Sequence, residues 1–202
     1  MVYGRAGDEI LYFRKHGFES IVVPGVSSAI AGPTFAGIPV TQRGVAESMV
    51  LCTGVGRQGK SCRLPGYVRS RTLVLLMGVA RLDSLLQALL DDNVTPSLRE
   101  GEQYPSYLPI AVIERASMPD QRVISATLET ISAAMTVVGE QRPPGMIVVG
   151  WSVLALHRDG DVEVLDDAKM SADVLAADIA RIRRWLGDES WMVSEGFKRA
   201  IR

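Results

Sequence analysis

Histidine and cysteine are scarce in this 202-residue chain: His16, His157, Cys52 and Cys62 are all there is. The two cysteines form no CxxC pair and stand far from both histidines, so no zinc-ligand spacing exists. A reducing compartment would leave both thiols free. No order of serine, histidine and aspartate has the spacing of a hydrolytic triad, and so little histidine argues against hydrolase or metal chemistry in general; no metal is expected. Long hydrophobic runs are missing as well. The runs LVLLMGVA and MIVVGWSVLAL fall short of the roughly 20 residues a spanning helix needs, and each contains glycine. Nor is there an excess of one charge: 22 lysines and arginines against 23 aspartates and glutamates give a net charge of -1. With no block of like charge, nucleic acid and anionic membrane are excluded as expected partners. The opening residues MVYGRAGDE have neither the apolar core of a signal peptide nor the basic amphipathic pattern of a transit peptide, so a cytoplasmic location is expected.

What the chain does have is core material: 47% of its residues are hydrophobic, enough for one large domain or two small ones. GRAGDEILYFRKHGF reads as a helix stopped by a C-cap glycine, followed by SIVVPG as a strand. SMVLCTG, RTLVLLMG, LPIAVIER and GMIVVGW are continuous rather than alternating apolar runs, the pattern of strands buried on both faces. Val79, Leu82, Leu85, Leu86, Leu89 and Leu90 paint one helix face between the second and third of these, and Leu128, Ile131, Met135 and Val138 another before the last. The alternation implies an α/β fold with parallel strands joined by crossover helices, and DQRVISATL adds an extended piece able to pair antiparallel. After the acidic, turn-forming stretch HRDGDVEVLDD, Leu175, Ile179, Ile182 and Leu186 form one more amphipathic helix, read as an appended element outside the main sheet.

Ligands of open α/β sheets bind where strands end and loops begin, so the strand-end stretches are the candidates for chemistry. Pro24-Gly25-Val26-Ser27-Ser28 precedes a helix of small residues, where one serine can act as the N-cap while both hydroxyls face a crevice. Cys52-Thr53-Gly54 opens into GVGRQGK, a basic loop that fits neither the Walker spacing nor GxGxxG. Met77-Gly78 ends the next strand; a methionine there can lie against a flat ring, and glycine admits a close backbone. Glu114-Arg115-Ala116-Ser117 ends the fourth, and with Pro119-Asp120-Gln121-Arg122 it puts mixed charges beside a small residue; a surface ion pair is the ordinary reading.

Taken together, VYGRAGDE, VVPGVSSAIAGPTFAGIPVTQRG, CTGVGRQGK, LVLLMG, PIAVIERASMPDQRVISATL and GMIVVGW stand in the order and spacing of the tetrapyrrole methylase superfamily. The chain resembles its uroporphyrinogen-III C-methyltransferase branch over residues 2–156. The resemblance implies transfer of methyl groups from S-adenosylmethionine to uroporphyrinogen III, giving precorrin-2 on the way to sirohaem and cobalamin, with S-adenosylhomocysteine as by-product. It implies a homodimer, and a methyl donor held in a crevice between two α/β domains. Residue by residue, it assigns donor contacts to Val2, Ser27, Ser28, Met77 and Ala116.

The same resemblance divides the chain into the end of a first α/β domain (1–40), a second α/β domain with a mostly parallel or mixed sheet (41–156), and an acidic loop with a helical tail (157–202). Family members carry GxGPGD and GGDP loops before the VYGR counterpart. The chain is therefore expected to be a C-terminal portion, with the residues proposed as acid and base outside it, and no catalytic residue is assigned. Gln42 stands where the family has the histidine of PxTHR, and Ala6 replaces the second glycine of GRGGE. Two other readings are a catalytically inert binding or dimerisation module, and a sister methyltransferase acting on a later corrin intermediate.

Overall fold

The computed structural model describes residues 1–56, 62–91, 98–170 and 173–196, the side chains of 169 and 170 excepted. Helix α1 (Ala6–Lys15) and helix α2 (Ser28–Phe35) come first, followed by β1 (Ser48–Thr53), β2 (Leu64–Pro65) and β3 (Arg71–Leu76). A 3-10 turn at Val79–Arg81 leads into α3 (Leu82–Leu90), then β4 (Arg99–Glu100), β5 (Pro109–Glu114), β6 (Arg122–Thr127), α4 (Ile131–Val138) and β7 (Gly145–Val149). Helices α5 (Val164–Met170) and α6 (Val174–Leu186) and strand β8 (Trp191–Glu195) complete the described chain.

The main sheet runs β1-β3-β7-β5-β6-β8, while β2 and β4 pair separately. It is a mixed sheet, one of the two forms expected for this α/β domain, although the strands joined by helices are mostly not direct neighbours. Only β1 and β3 are parallel neighbours in it; β7 lies between β3 and β5 and is antiparallel to both, with Val149 opposite Leu73 on one side and Ile110 on the other. The helices still act as crossovers. Through α3, β3 and β5 come to run the same way with β7 inserted, and β6 and β7 do the same through α4 with β5 inserted. DQRVISATL pairs antiparallel as expected, β6 lying on β5 with Arg122 opposite Glu114.

The continuous apolar runs produce the buried centre. Every residue of β5 is buried, as are four of the five in β7, whereas β1, at the sheet edge, is only half-buried. Helix α3 covers one face, where Leu85 and Ile147 crowd around Gly78. Helix α2 covers the other, so closely that a Cβ on Gly32 would collide with the Met146 thioether.

The N-terminal stretch forms its helix but not its strand. Gly17 ends α1 at φ +82°, with Phe18 N–H bonded to Phe13 O and Gly17 N–H to Arg14 O, a Schellman closure. SIVVPG is not a strand here: residues 19–27 have no ladder partners, and Ile21 is 92% exposed. A strand needs a neighbour for its N–H and C=O groups, and none of the described residues supplies one.

The tail departs from expectation in the opposite sense. Its amphipathic helix is present as α6, but β8 pairs antiparallel with β6 and extends the main sheet. What fixes it is a buried ion cluster. Asp178, fully buried, accepts two bonds from Arg69 at 2.7 and 2.6 Å and one from the Tyr107 hydroxyl at 3.3 Å. Arg181 bonds Asp161 at 2.7 Å and Asp167 at 2.5 Å, and both guanidinium groups lie over the Trp151 ring. Burial, reinforced by the Asp178 charge, pushes the Tyr107 phenol up to about 12, so it stays a neutral donor. Removing Asp178 leaves Arg69 without its carboxylate and Arg181 short of one. Asp178→Ala is expected to cost about 3 kcal/mol, a drop in melting temperature of roughly 6–12 °C by circular dichroism.

Candidate functional site

The carboxyl ends of β1, β3 and β5 and the amino end of β7 meet on one rim of the sheet, which follows from β7 running against its neighbours. Backbone strain is concentrated there. Met77 after β3 has φ +55°, and Arg115 and Ser117 after β5 have φ +50° and +71°, left-handed conformations that side chains disfavour. Such turns bend the chain sharply where the strands end.

Two glycines make the rim narrow. A Cβ on Gly54, just after β1, would lie 2.5 Å from Gly78 Cα and 2.9 Å from Met77 O. Gly54 N–H donates to Leu76 O at 2.8 Å, continuing the ladder past the strand ends. The Met77 side chain is 50% exposed beside a 190 Å³ cleft that Glu114 and Pro143 help to line. An apolar thioether beside that cleft is suited to a flat heteroaromatic ring, while the two glycines let the strand ends pack backbone against backbone.

The other sequence-predicted residues are distributed around this rim. Ser27 is the N-cap of α2: its backbone is extended and its Oγ accepts from Ala29 N–H at 3.3 Å. Ser28, the first residue of the helix, is exposed. The helix then crosses the sheet so that the side of Gly32 faces Met146 and Ala116. Val2 is exposed, but its neighbour Tyr3 donates from its hydroxyl to Leu51 O at 2.9 Å, tying the N-terminal residues to β1. Met77, Ala116 and α2 are thus gathered at one sheet end, and Val2 is carried to its edge strand. In the GVGRQGK stretch, residues 57–60 lie outside the described residues.

Charge at the β5–β6 turn is arranged otherwise than a surface pair alone. Arg115 and Asp120 do pair at the surface, at 3.0 Å. Beneath them Glu114 and Arg122 form a buried pair at 2.6 Å; Glu114 also accepts Arg142 N–H at 2.9 Å, and Arg122 donates to Val138 O and Glu140 O. Sequence reasoning missed this pair, and Gln121 beside it. The signal was the two-residue period of β6, which puts Gln121 with Val123 and Ser125 on one face and Arg122 with Ile124 on the other. Cys52, near the end of β1, is no thiolate nucleophile, since burial and then Cys62 push its thiol upward. Among the described residues no group of three or more His, Cys, Asp or Glu side chains is placed to hold a metal.

The family model for tetrapyrrole (corrin/porphyrin) methylases matches residues 1–132. The chain belongs to this family. A probable uroporphyrinogen-III C-methyltransferase of Schizosaccharomyces pombe is 42% identical over 156 residues, 77% of this chain and 29% of that protein. The uroporphyrinogen-III C-methyltransferase of Methanocaldococcus jannaschii is 38% identical over 157 residues, 77% of this chain and 61% of that one. Among solved structures, the native uroporphyrin III C-methyl transferase of Thermus thermophilus superposes with a TM-score of 0.62 at 33% identity, covering 82% of this chain and 66% of that chain. The same enzyme complexed with S-adenyl homocysteine gives 0.59 at 31% identity, covering 81% and 65%. The chain therefore spans between about a quarter and two thirds of the length of these relatives, matching a C-terminal portion of them.

The glycine pair gives a direct check on the rim. Alanine at 54 would force the ends of β1 and β3 apart, because both obstructing groups are backbone. Gly54→Ala is expected to cost about 1–3 kcal/mol in a denaturant titration.

Proposed function

We propose that this chain supplies the second half of an S-adenosylmethionine-dependent uroporphyrinogen-III C-methyltransferase. The observation that carries this reading is the strained, glycine-lined rim on which Met77, Ala116 and the Ser27-capped helix converge, in a member of the tetrapyrrole methylase family. The exposed Met77 thioether, beside the cleft that Glu114 and Pro143 help to line, is the kind of apolar wall an adenine ring packs against. Bound there, S-adenosylmethionine supplies an electrophilic methyl group. The chain's own part is to hold and orient. Met77 offers a polarisable wall, the Arg115–Ser117 turn carries Ala116, and Ser27 and Ser28 supply hydroxyls at the start of α2. Methyl transfer of this kind depends on near-attack placement, which is the part this chain supplies. Uroporphyrinogen III is the proposed acceptor, because relatives similar over the same residues are named for it.

The N-terminal stretch points to where the rest of the crevice comes from. No residue of α1 is buried, and Phe18, Ile21, Val23 and Val26 are all exposed. A helix face and a following segment this bare of partners call for a covering layer, and the part of the fold that the relatives have in addition is the occupant we infer. A homodimer remains part of the proposal for the whole enzyme.

Titration calorimetry of S-adenosylhomocysteine into the full-length polypeptide that carries these 202 residues tests the reading. Saturable binding that Met77→Asp weakens by roughly tenfold or more is expected, since a carboxylate replaces the apolar wall. No binding to the unaltered protein would sink it.

A further inference from the structure

Gln121 has no role in the reading so far, yet it is the side chain that joins the two walls of the rim. It is 4% exposed. Its Oε1 accepts Ser117 N–H at 2.9 Å, and its Nε2 donates to Phe35 O at 3.2 Å. The two partners fix which end of the amide is which, because an N–H needs an acceptor and a carbonyl a donor. Each partner has a reason to need it. Ser117 stands at φ +71° in a turn already strained at Arg115, and such a turn persists only when its surroundings hold it. Phe35 is the last residue of α2, whose terminal carbonyls have no acceptor role inside the helix.

We propose that Gln121 is a positioning residue for methyl-donor binding: it sets the distance between the Arg115–Ser117 turn, which carries Ala116, and helix α2, which carries Ser27 and Ser28. The inference rests on the proposed function of the same rim. Other bonds around Gln121 support the arrangement. Its own N–H closes the turn on Met118 O at 3.0 Å, Met118 N–H reaches Arg115 O at 3.0 Å, and Gly196 N–H bonds Gln121 O at 2.8 Å. Between its two partners, α2 lies against Met146 and Ala116 with no space for a Cβ at Gly32. A shift of the helix therefore moves the serine end and the Ala116 contact together. Only a side chain with both an acceptor and a donor at this reach can hold both walls, which singles out glutamine over every apolar isostere.

Glutamate makes the role measurable. As a carboxylate at position 121 it still accepts from Ser117 N–H but faces Phe35 O with a second acceptor; once protonated it donates there as the amide does. Burial and the facing carbonyl raise its pKa, so the protonated form returns as pH falls toward 5. The charged and titratable groups around it are the Arg115 and Asp120 pair on the same turn, Arg122 and Glu114 on the opposite face, and His157 and Arg158 across the 1210 Å³ cleft that Gln121 also lines. Their own titration is common to both proteins and cancels in a ratio to the unaltered one, while their fields act on the new carboxyl and set where in the range it titrates.

The experiment is calorimetric titration of S-adenosylhomocysteine, from pH 5 to pH 8, into the full-length polypeptide and its Gln121→Glu and Gln121→Met variants, with melting temperatures alongside. Gln121→Glu should bind roughly tenfold more weakly than the unaltered protein at pH 8 and converge on it toward pH 5; Gln121→Met should be weaker at every pH. A Gln121→Glu ratio that does not change with pH, or Gln121→Met binding as tightly as the unaltered protein, overturns the proposal. Should the glutamate variant fail to fold, the methionine variant decides alone. Loss of binding in the unaltered protein would instead overturn the functional reading itself, and this inference with it.

Discussion

The insertion of β7 between β3 and β5 is the constraint on which the rest of this structure depends. A strand running against both neighbours brings its amino end, at Gly145, to the same rim as the carboxyl ends of β1, β3 and β5. That rim is where Met77, Ala116 and the end-on glycines meet. It also shapes the core. With partners on both sides and helices on both faces, β7 is buried almost throughout, and so Ile147, Val148 and Val149 have no solvent face to alternate toward. Since each residue of β7 is fixed by two ladders, a register slip would displace the rim and the core at once.

Among the described residues charge is buried twice, and each time it fastens something that apolar contact could not orient. Glu114 and Arg122 stand opposite each other in the β5–β6 ladder, and their remaining hydrogen-bonding capacity reaches the main chain at Val138, Glu140 and Arg142. This holds the 138–142 stretch beside the cleft at Met77. Asp178 and Arg181, on α6, do the same for the tail, reaching Arg69, Tyr107, Asp161 and Asp167. Buried ions are a weak source of stability but a strong source of geometry, because a partner lost is costly and a partner misplaced is no partner. The tail is thereby made part of the main sheet, with β8 alongside β6.

The N-terminal residues show the same physics by default. Their helix forms because its hydrogen bonds are local and its end is closed by Gly17. The strand after it does not form, because a ladder has to come from elsewhere in space. The apolar face of α1 and residues 19–26 are left bare for the same reason.

Much of this protein is determined by its sequence alone. Continuous apolar runs gave the central strands, the spacing of Val79 to Leu90 gave α3, and the ordered strand-end stretches gave the family, since each of these depends on neighbours along the chain. Tertiary structure decided what depends on neighbours across it. That β7 runs antiparallel between β3 and β5, that Glu114 pairs with Arg122 rather than with solvent, that Gln121 spans from Ser117 to Phe35, and that the tail closes onto Arg69 are all contacts between distant residues. Periodicity registers which face a side chain takes, not which partner waits there.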